Sequence, residues 1–261
     1  MKTVVLQSFR TRDVPRWMDA CMQSVRAWAA AQGWAYEFMD DDFFGLAPDW
    51  TRWRCKDNHY AVTDICRLVW ATRALDAGYE RAVWADADVL VFDPAALRLE
   101  PGRGHGFARE LFLHVAPDGV TTPHHGLSNA LMAFERGDDA LPTYLELCYA
   151  VLRGLPPGPV PRTALGPKLL NALAAKRPLA VIERVGLFSQ AILEQVAAGG
   201  GALTREYLAR SPTRPAAANL CHFLRNLTPP PRRAVFDAQY DAAVARLLES
   251  AGAVLGPAGP A

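Results

Sequence analysis

The sequence predicts a single α/β domain in which a central, mostly parallel sheet is flanked by helices. The first 92 residues alternate strand, helix, strand, helix and strand, an order that is typical of parallel strands joined by right-handed helical crossovers. Of the 261 residues, 51% are hydrophobic and 21% are charged, which is the composition of a globular chain with a large core. We expect one domain over residues 1–250 and a disordered tail over residues 251–261.

Strand and helix signals in the first half of the chain carry this prediction. β-Branched residues favour a strand at the start, and Pro15 and Gly33 mark the beginning and end of the first helix. Gly78 ends a second, longer helix. The expected elements are strands over residues 3–9, 34–39 and 82–85 and helices over residues 14–33 and 56–77.

The second half, residues 96–250, has weaker periodicity. Its polar and proline-rich stretches predict loops over residues 116–129 and 154–163. The expected elements are strands over residues 106–110, 111–115, 179–183 and 218–224 and helices over residues 139–152, 165–175, 190–197 and 235–249.

Two acids interrupt the most apolar strand of the chain. Asp86 and Asp88 follow residues 82–85, and residues 89–92 resume the apolar pattern. In an extended backbone these carboxylates point to the same side, and two like charges so close require a cation or hydrogen-bond donors. Oxygen ligands suit Mn²⁺ or Mg²⁺, and ligands bind at the carboxyl ends of parallel strands. The pattern predicts a metal site that holds a diphosphate.

Charge and cysteine content exclude several other classes of protein. The 28 basic and 27 acidic residues nearly balance, which argues against nucleic acid as a partner. The five cysteines are odd in number and form no CxxC pair, which argues against a disulfide framework and a structural zinc site. No apolar run has the length of a signal peptide or a membrane span. We expect a cytoplasmic protein without an integral membrane segment.

The segment "VWADADVLVF", with "TDICRL" before it, resembles the DXD sugar-binding region of GT-A-fold glycosyltransferases. The resemblance is to the family that includes the fungal initiating mannosyltransferases and the lactosylceramide galactosyltransferases, and more distantly to the glucosyltransferase domains of large clostridial toxins. The segments "VVLQSF", "GLSNALMAFERG", "TALGPKLL" and "NLCHFLRNL" extend it over most of the chain. It implies one GT-A-type, Rossmann-like domain whose nucleotide-binding half, residues 1–95, ends in the DXD motif, and whose acceptor and sugar half is residues 96–250.

The resemblance also implies roles for individual residues. Asp88 matches the direct metal ligand, Asp86 the acid that contacts the donor, and Asn129 a residue near the transferred sugar; these three are the candidate catalytic residues. His222 falls where a third metal ligand or a phosphate contact is expected, beside Asp86 and Asp88. The candidate nucleotide-sugar contacts are Gln7, Ser8, Phe9, Asp64, Arg67, Trp84 and Asp86. The pattern alone leaves open that Asp64 and Arg67 form a surface ion pair and that His222 is a core histidine.

The activity implied is that of a hexosyltransferase that uses a UDP-sugar or GDP-sugar with Mn²⁺ or Mg²⁺ and retains the anomeric configuration. The acceptor is a saccharide, a lipid-linked glycan, a natural product or a protein. The residues alone do not separate retention from inversion. A double displacement would need a carboxylate nucleophile, for which Glu110 and Asp138 are the candidates.

Two other functions fit parts of the same pattern. "DADVLV" resembles the nucleophile motif of haloacid-dehalogenase-type phosphohydrolases, and "GDDA", residues 137–140, could supply their later acidic pair. That superfamily normally opens with its nucleophile strand, whereas 85 residues precede Asp86 here. The third possibility is a noncatalytic nucleotide-sugar binder.

Overall fold

The structure, a computed structural model, describes residues 1–100, 102–116 and 118–257. The helices are α1 (Arg16–Ala31), α2 (Asp49–Arg54), α3 (His59–Asp76), α4 (Ala140–Gly154), α5 (Pro167–Ala174), α6 (Gln190–Ala197), α7 (Ala202–Arg210), α8 (His222–Leu227) and α9 (Arg233–Glu249). The strands are β1 (Thr3–Ser8), β2 (Ala35–Met39), β3 (Arg81–Ala85), β4 (Val89–Val91), β5 (His105–Val115), β6 (Thr121–Glu135), β7 (Val181–Ile182), β8 (Val185–Leu187) and β9 (Ala217–Asn219). Short 3₁₀ helices cover Asp41–Leu46, Pro230–Arg232 and Ala253–Leu255.

Six strands form the main sheet in the order β2-β1-β3-β6-β5-β7. Strands β1, β2 and β3 are parallel, β6 is antiparallel to both β3 and β5, and β7 is parallel to β5. Five strands therefore run in one direction and β6 alone runs against them. The predicted α/β class, with a central, mostly parallel sheet flanked by helices, is confirmed.

Helices α1 and α3 cover opposite faces of this sheet. Val5 of β1 packs in one apolar cluster with Trp28 of α1, whereas Val4 and Leu6 pack in another with Ile65 of α3. This division follows from the alternation of side chains along a strand. Strands β1 and β3 are consequently buried on both faces, and functional groups on these two strands lie at their ends.

A smaller sheet, in the order β4-β9-β8, receives the chain after β3. Strand β4 is antiparallel to β9, with Val89 opposite Asn219, and β8 is parallel to β9. The three residues between β3 and β4, numbers 86–88, therefore cross from one sheet to the other. The two carboxylates lie in this crossing, where groups from both sheets can reach them.

Strands β5 and β6 form a long hairpin, which corrects the prediction of a polar loop over residues 116–129. Residues 121–129 belong to β6, and residues 121–128 pair with β5. Their polar side chains lack the apolar alternation of a half-buried strand because much of this ribbon is exposed. Phe107 pairs with Met132 but Ala108 pairs with Ser128, so β6 has three additional residues, numbers 129–131, in a bulge that disrupts the ladder at this point.

Other boundaries also differ from the sequence prediction. Strand β9 ends at Asn219 and α8 begins at His222, so the predicted strand over residues 218–224 is wrong beyond Asn219. Helices α2 and α7 were not predicted. Residues 251–257 of the expected disordered tail have a defined place, because Ala253–Leu255 is a 3₁₀ helix and Leu255 is fully buried. Residues 258–261 lie outside the described residues.

No helix in the described ranges combines the length and apolar character needed to cross a membrane.

Candidate functional site

Asp86 lies at the carboxyl end of β3 and is held by contacts from three directions. Its Oδ1 accepts a hydrogen bond of 2.7 Å from Trp84 Nε1 and lies 3.2 Å from Arg67 Nη1. Its main-chain nitrogen donates to Ala130 O over 2.7 Å, and its main-chain oxygen accepts from Gln7 Nε2 over 3.1 Å. Burial raises the pKa of Asp86, and Arg67 and Trp84 oppose that effect by stabilising the charged form.

Asp88 is held from the smaller sheet. Its Oδ1 accepts from Asn219 Nδ2 over 2.8 Å, and its Oδ2 accepts from the main-chain nitrogen of His222 over 2.7 Å. Cys221 has left-handed backbone angles, φ 55° and ψ 59°, and joins β9 to α8 between these two donors. Burial, and secondly the charge of Asp86, raise the pKa of Asp88 to about 7. Two half-buried carboxylates that oppose each other's charge are an arrangement that a bound cation would stabilise.

A polar cluster on α3 adjoins Asp86. Arg67 is 7% exposed; its Nη1 donates to Asn129 O over 3.0 Å and its Nη2 lies 3.6 Å from Asp64 Oδ1. Asn129 Nδ2 donates to the same Asp64 oxygen over 2.9 Å. Burial raises the pKa of Asp64 to about 6, although Arg67 and Asn129 favour its charged form. The alternative of a surface ion pair is therefore wrong, because Arg67 is buried and bridges two half-buried carboxylates.

The bulge in β6 explains how Asn129 reaches this cluster. A regular ladder would direct backbone groups of residues 129–131 to β5. Instead, the carbonyl oxygens of Asn129 and Ala130 accept hydrogen bonds from Arg67 and from the main chain of Asp86. The bulge therefore places the predicted sugar-proximal residue, Asn129, beside Asp64 and fixes Asp86 from the neighbouring strand.

Gly166 closes the cluster on the side of α5. Its φ is +71°, and a Cβ atom on it would lie 3.0 Å from Asp64 Oδ2 and 3.5 Å from Asn129 Nδ2. Its carbonyl oxygen accepts a hydrogen bond of 3.2 Å from Tyr144. The turn in "TALGPKLL" consequently contacts Asp64 through backbone that only glycine can place so close.

Gly166→Ala should lower the free energy of unfolding by about 1–3 kcal/mol, because it adds backbone strain and crowds Asp64. The matched control is Gly137→Ala, since Gly137 has φ +87° but a Cβ atom on it would have no other side chain or backbone within 4 Å. Urea denaturation of both variants separates strain from crowding. Equal losses in the two variants would contradict a tight contact between Gly166 and Asp64.

His222 lies beside Asp88, as the resemblance implies, but its ring faces aromatic residues. The ring packs edge-on against Phe9, with centroids 5.4 Å apart, and lies 6.0 Å from Trp17. Its Nε2 is buried and has no hydrogen-bond partner among the described residues. Burial, followed by the charges of Arg10 and Arg225, lowers the pKa of His222 to about 4. The imidazole is therefore neutral at pH 7, which is the form that binds a metal ion.

These groups fit a hard divalent cation in part. Asp86 and Asp88 supply carboxylate oxygens, and His222 has an unused ring nitrogen. Within residues 1–100, 102–116 and 118–257, however, no three His, Cys, Asp or Glu side chains are already arranged as a metal site. The geometry accordingly suits a cation whose remaining ligands come from substrate phosphates and water.

The other candidate nucleotide-sugar residues divide into buried and accessible ones. Gln7 is fully buried, since its Nε2 donates to Asp86 O and its Oε1 accepts from Tyr36 over 2.9 Å. Trp84 is 2% exposed and uses its only polar side-chain atom on Asp86. Ser8 and Phe9 are half-buried at the same edge of the sheet. Gln7 and Trp84 thus hold Asp86 in place, and Ser8 and Phe9 are the accessible members of the set.

Sequence reasoning missed Asn219 and Gly166 as site residues. Both lie in segments that carry the family resemblance, "NLCHFLRNL" and "TALGPKLL". An asparagine directly before an apolar histidine segment, and a glycine before the proline that starts a helix, were the available signals. Neither pattern indicates which distant carboxylate the residue contacts.

The second acidic pair expected of a phosphohydrolase lies at the wrong end of the sheet. Asp138 interacts with His105, 3.0 Å away, and Asp139 pairs with Arg177. Both follow β6, whose last residue, Glu135, is opposite Arg81 at the start of β3. Asp86 follows the other end of β3. For the same reason, Asp138 cannot act as a nucleophile beside Asp86.

Comparisons with known proteins give structural similarities only. No protein-family model and no curated protein matches the sequence. A crystal structure of a glycosyltransferase involved in glycosylation of the major capsid of PBCV-1 is similar with 14% identity and a TM-score of 0.48, covering 91% of this chain and 98% of that one. The galactosyltransferase LgtC, in complex with donor and acceptor sugar analogues, is similar with 10% identity and a TM-score of 0.45, covering 93% of this chain and 95% of that one. Similarity at this level does not assign the chain to a family.

Proposed function

We propose that the chain is a metal-dependent glycosyltransferase that transfers a hexose from a UDP-sugar or GDP-sugar to an acceptor. The observation that carries the proposal is the pair Asp86 and Asp88 at the end of β3. Both carboxylates are oriented by neighbouring donors, and the charge of each raises the free energy of the other. Retaining two such groups in a largely buried crossing is costly, and a bound cation with a diphosphate offsets that cost.

Asp88 and Asp86 would hold Mn²⁺ or Mg²⁺. His222 would become a third ligand after its ring turns away from Phe9 and Trp17. When bound, the cation stabilises the negative charge that develops on the departing nucleoside diphosphate. Arg67 keeps Asp64 and Asp86 ionised and oriented. Asp64 then presents an acceptor for sugar or ribose hydroxyl groups, and Asn129, which donates to Asp64, lies where the transferred sugar would contact the protein.

We also propose that the transfer retains the anomeric configuration of the donor sugar. Of the two candidate nucleophiles for a double displacement, Asp138 lies at the opposite end of β3 from Asp86. Glu110, on β5, lies 3.9 Å from His124 and is the one remaining candidate for that role. A departing phosphate oxygen that takes the proton of the acceptor hydroxyl needs no enzymatic base.

The five cysteines are all free thiols, which supports a reducing compartment, and we propose the cytoplasm.

A thermal-shift screen tests the donor class. The protein is melted with UDP, GDP, dTDP and CMP and with their sugars, each with and without Mn²⁺. A donor at one hundred times its Kd should raise Tm by roughly 5–10 °C, and the rise should require the metal.

The hit from the screen is then tested for turnover. Release of the nucleotide from the sugar, measured with and without candidate saccharide, lipid-linked, natural-product or protein acceptors, separates an enzyme from a noncatalytic binder. No shift with any donor, together with Mg²⁺-dependent hydrolysis of a phosphate ester, would instead identify a phosphohydrolase and overturn the proposal.

A further inference from the structure

A cavity of about 290 Å³ opens at the end of the main sheet that lies away from the carboxylate pair. Arg81, the first residue of β3, lines this cavity, whereas Asp86 follows the last residue of β3. The five residues of β3 separate its two ends by roughly 16 Å. The cavity is therefore distinct from the site of Asp86 and Asp88.

The floor of the cavity is apolar. Its side chains belong to the apolar cluster that packs under α1, and they are those of Ala96, Leu99, Ala133 and Ile182. Gly106 completes the floor, and a Cβ atom on it would lie 2.8 Å from Ile182 Cγ1. Small-molecule sites begin at about 300 Å³, so a ligand of this cavity is small.

Charged side chains form the rim, and two of its three glutamates already have cationic partners. Glu135 accepts hydrogen bonds from Arg81 and from the main-chain nitrogens of residues 102 and 104, the last two over 3.0 and 3.2 Å. Glu183 forms a two-point ion pair with Arg109. Among the rim carboxylates in the described part of the chain, only Glu100 is left to balance the other rim arginines, which are Arg98, Arg103 and Arg184.

These three arginines give the rim an excess of positive charge. All three are exposed, and within the described ranges their guanidinium groups form no ion pair. Hydrogen bonds from Arg109 lower the pKa of Glu183, and the charge of Arg103 adds to this effect, so Arg103 lies on the side of the rim that carries Glu183 and Arg184. Three guanidinium groups with one carboxylate leave two charges unbalanced, in a chain whose net charge is only +1.

The backbone of Arg184 is held in a strained conformation. Its φ is +65°, which is uncommon for a residue other than glycine. Its main-chain nitrogen donates to Thr213 Oγ1 over 3.1 Å, and its main-chain oxygen accepts from the nitrogens of Ala216 and Ala217 over 2.7 and 3.1 Å. Strain of this kind persists where the surroundings fix it, and it is concentrated at ligand sites.

The chemistry of the rim and the floor restricts the ligand. Guanidinium groups bind phosphate through charge-assisted hydrogen bonds, and a phosphate monoester carries close to two negative charges at pH 7. The apolar floor favours a hydrocarbon or aromatic group over hydroxyl groups, which would lose their hydrogen bonds to water there. We propose that this cavity binds a small phosphate monoester whose organic part is apolar. The proposal does not depend on the glycosyltransferase reaction, because the cavity lies at the other end of β3.

Isothermal titration calorimetry of the full chain in phosphate-free buffer tests the proposal. Phenyl phosphate has both required features, inorganic phosphate has the charge alone, phenol has the apolar ring alone, and glucose 6-phosphate has the charge on a polar body. We expect phenyl phosphate to bind about tenfold or more tightly than each of the other three. Its Kd should stay the same with saturating UDP or GDP and Mn²⁺, because those ligands would occupy the opposite end of the sheet.

Three variants locate the binding site. Arg103→Gln and Arg184→Gln should each weaken binding of phenyl phosphate about tenfold, because each removes a charge-assisted donor. Leu99→Asn should weaken it about fivefold, because it replaces part of the apolar floor with an amide of similar size. Arg246→Gln is the matched control, since Arg246 is exposed on α9 and does not line the cavity. The melting temperature of each variant confirms that it is folded.

Three results would overturn the proposal. Phenyl phosphate would bind no more tightly than one of the other three probes, its Kd would be unchanged in both arginine variants, or the nucleotide with Mn²⁺ would displace it. The last result would place phenyl phosphate at the donor site. The nucleotide titration without phenyl phosphate reports on the glycosyltransferase proposal alone, so the two proposals can fail separately.

Discussion

Asp88→Asn should reduce release of the nucleotide from its sugar by about a thousandfold or more, because it removes the charge that would hold the cation against the leaving group. The same substitution should change the free energy of unfolding of the metal-free protein by only about 1 kcal/mol. The asparagine loses a buried charge that Asp86 opposes, and it keeps one of the two hydrogen bonds, from Asn219 or from the nitrogen of His222. A large loss of activity without a loss of stability is typical of a residue retained for function.

Asp76→Asn is the control for this experiment, since Asp76 is an exposed residue at the end of α3 and loses the same charge. Turnover is measured with Mn²⁺ over a wide concentration range, and calorimetry gives Tm with and without the metal. The Mn²⁺-dependent rise in Tm with the nucleotide should disappear in Asp88→Asn and persist in the control. Turnover within tenfold of wild type would show that Asp88 is not the metal ligand.

The sequence allowed prediction of the elements whose partners are close along the chain. An apolar strand that ends in two acids is visible in residues 82–88 because burial and charge conflict within a few positions. Pro15 and Gly33 bracket α1 by local backbone preference. The helix spacing of Asp64 and Arg67 placed both on one side of α3. These features need no knowledge of the rest of the fold.

The elements that were mispredicted depend on distant partners. Strand β6 is polar over residues 121–126 and is a strand because it pairs with β5 in an exposed hairpin. Strand β9 stops at Asn219 because that residue and the nitrogen of His222 bind Asp88, which is 131 and 134 positions away. A period-2 or period-3.6 pattern contains no information about such contacts. The same reason hid the roles of Asn219 and Gly166.

Arg67→Met should lower the free energy of unfolding by about 3–5 kcal/mol, which corresponds to a fall in Tm of roughly 6–20 °C. Methionine fills a similar volume but leaves Asp64 and Asp86 without the cation that neutralises them. It also removes the donor to Asn129 O and the guanidinium that lies 5.3 Å from the Trp84 ring. An unpaired buried charge costs more than the pair contributes, because desolvation is no longer compensated.

The size of this effect should depend on pH. Burial already raises the pKa of Asp64 to about 6 in the presence of Arg67, and loss of the guanidinium raises it further. In the variant, Asp64 therefore binds a proton more tightly in the folded state than in the unfolded state. The free energy of unfolding consequently falls as pH rises above about 4, which is the pKa of Asp64 in the unfolded chain. The difference in unfolding free energy between wild type and Arg67→Met should consequently be larger at pH 8 than at pH 5.

Urea denaturation at both pH values measures this difference, with Arg73→Met, an exposed position on the same helix, as the control. Adding Asp64→Asn to Arg67→Met should restore part of the lost stability and reduce the pH dependence, because one of the two unpaired carboxylates is gone. A loss below about 1 kcal/mol in Arg67→Met would mean that water or rearranged side chains compensate the carboxylates. The cluster of Asp64, Arg67 and Asn129 would then not hold Asp86 rigid and ionised, as the proposed donor site requires.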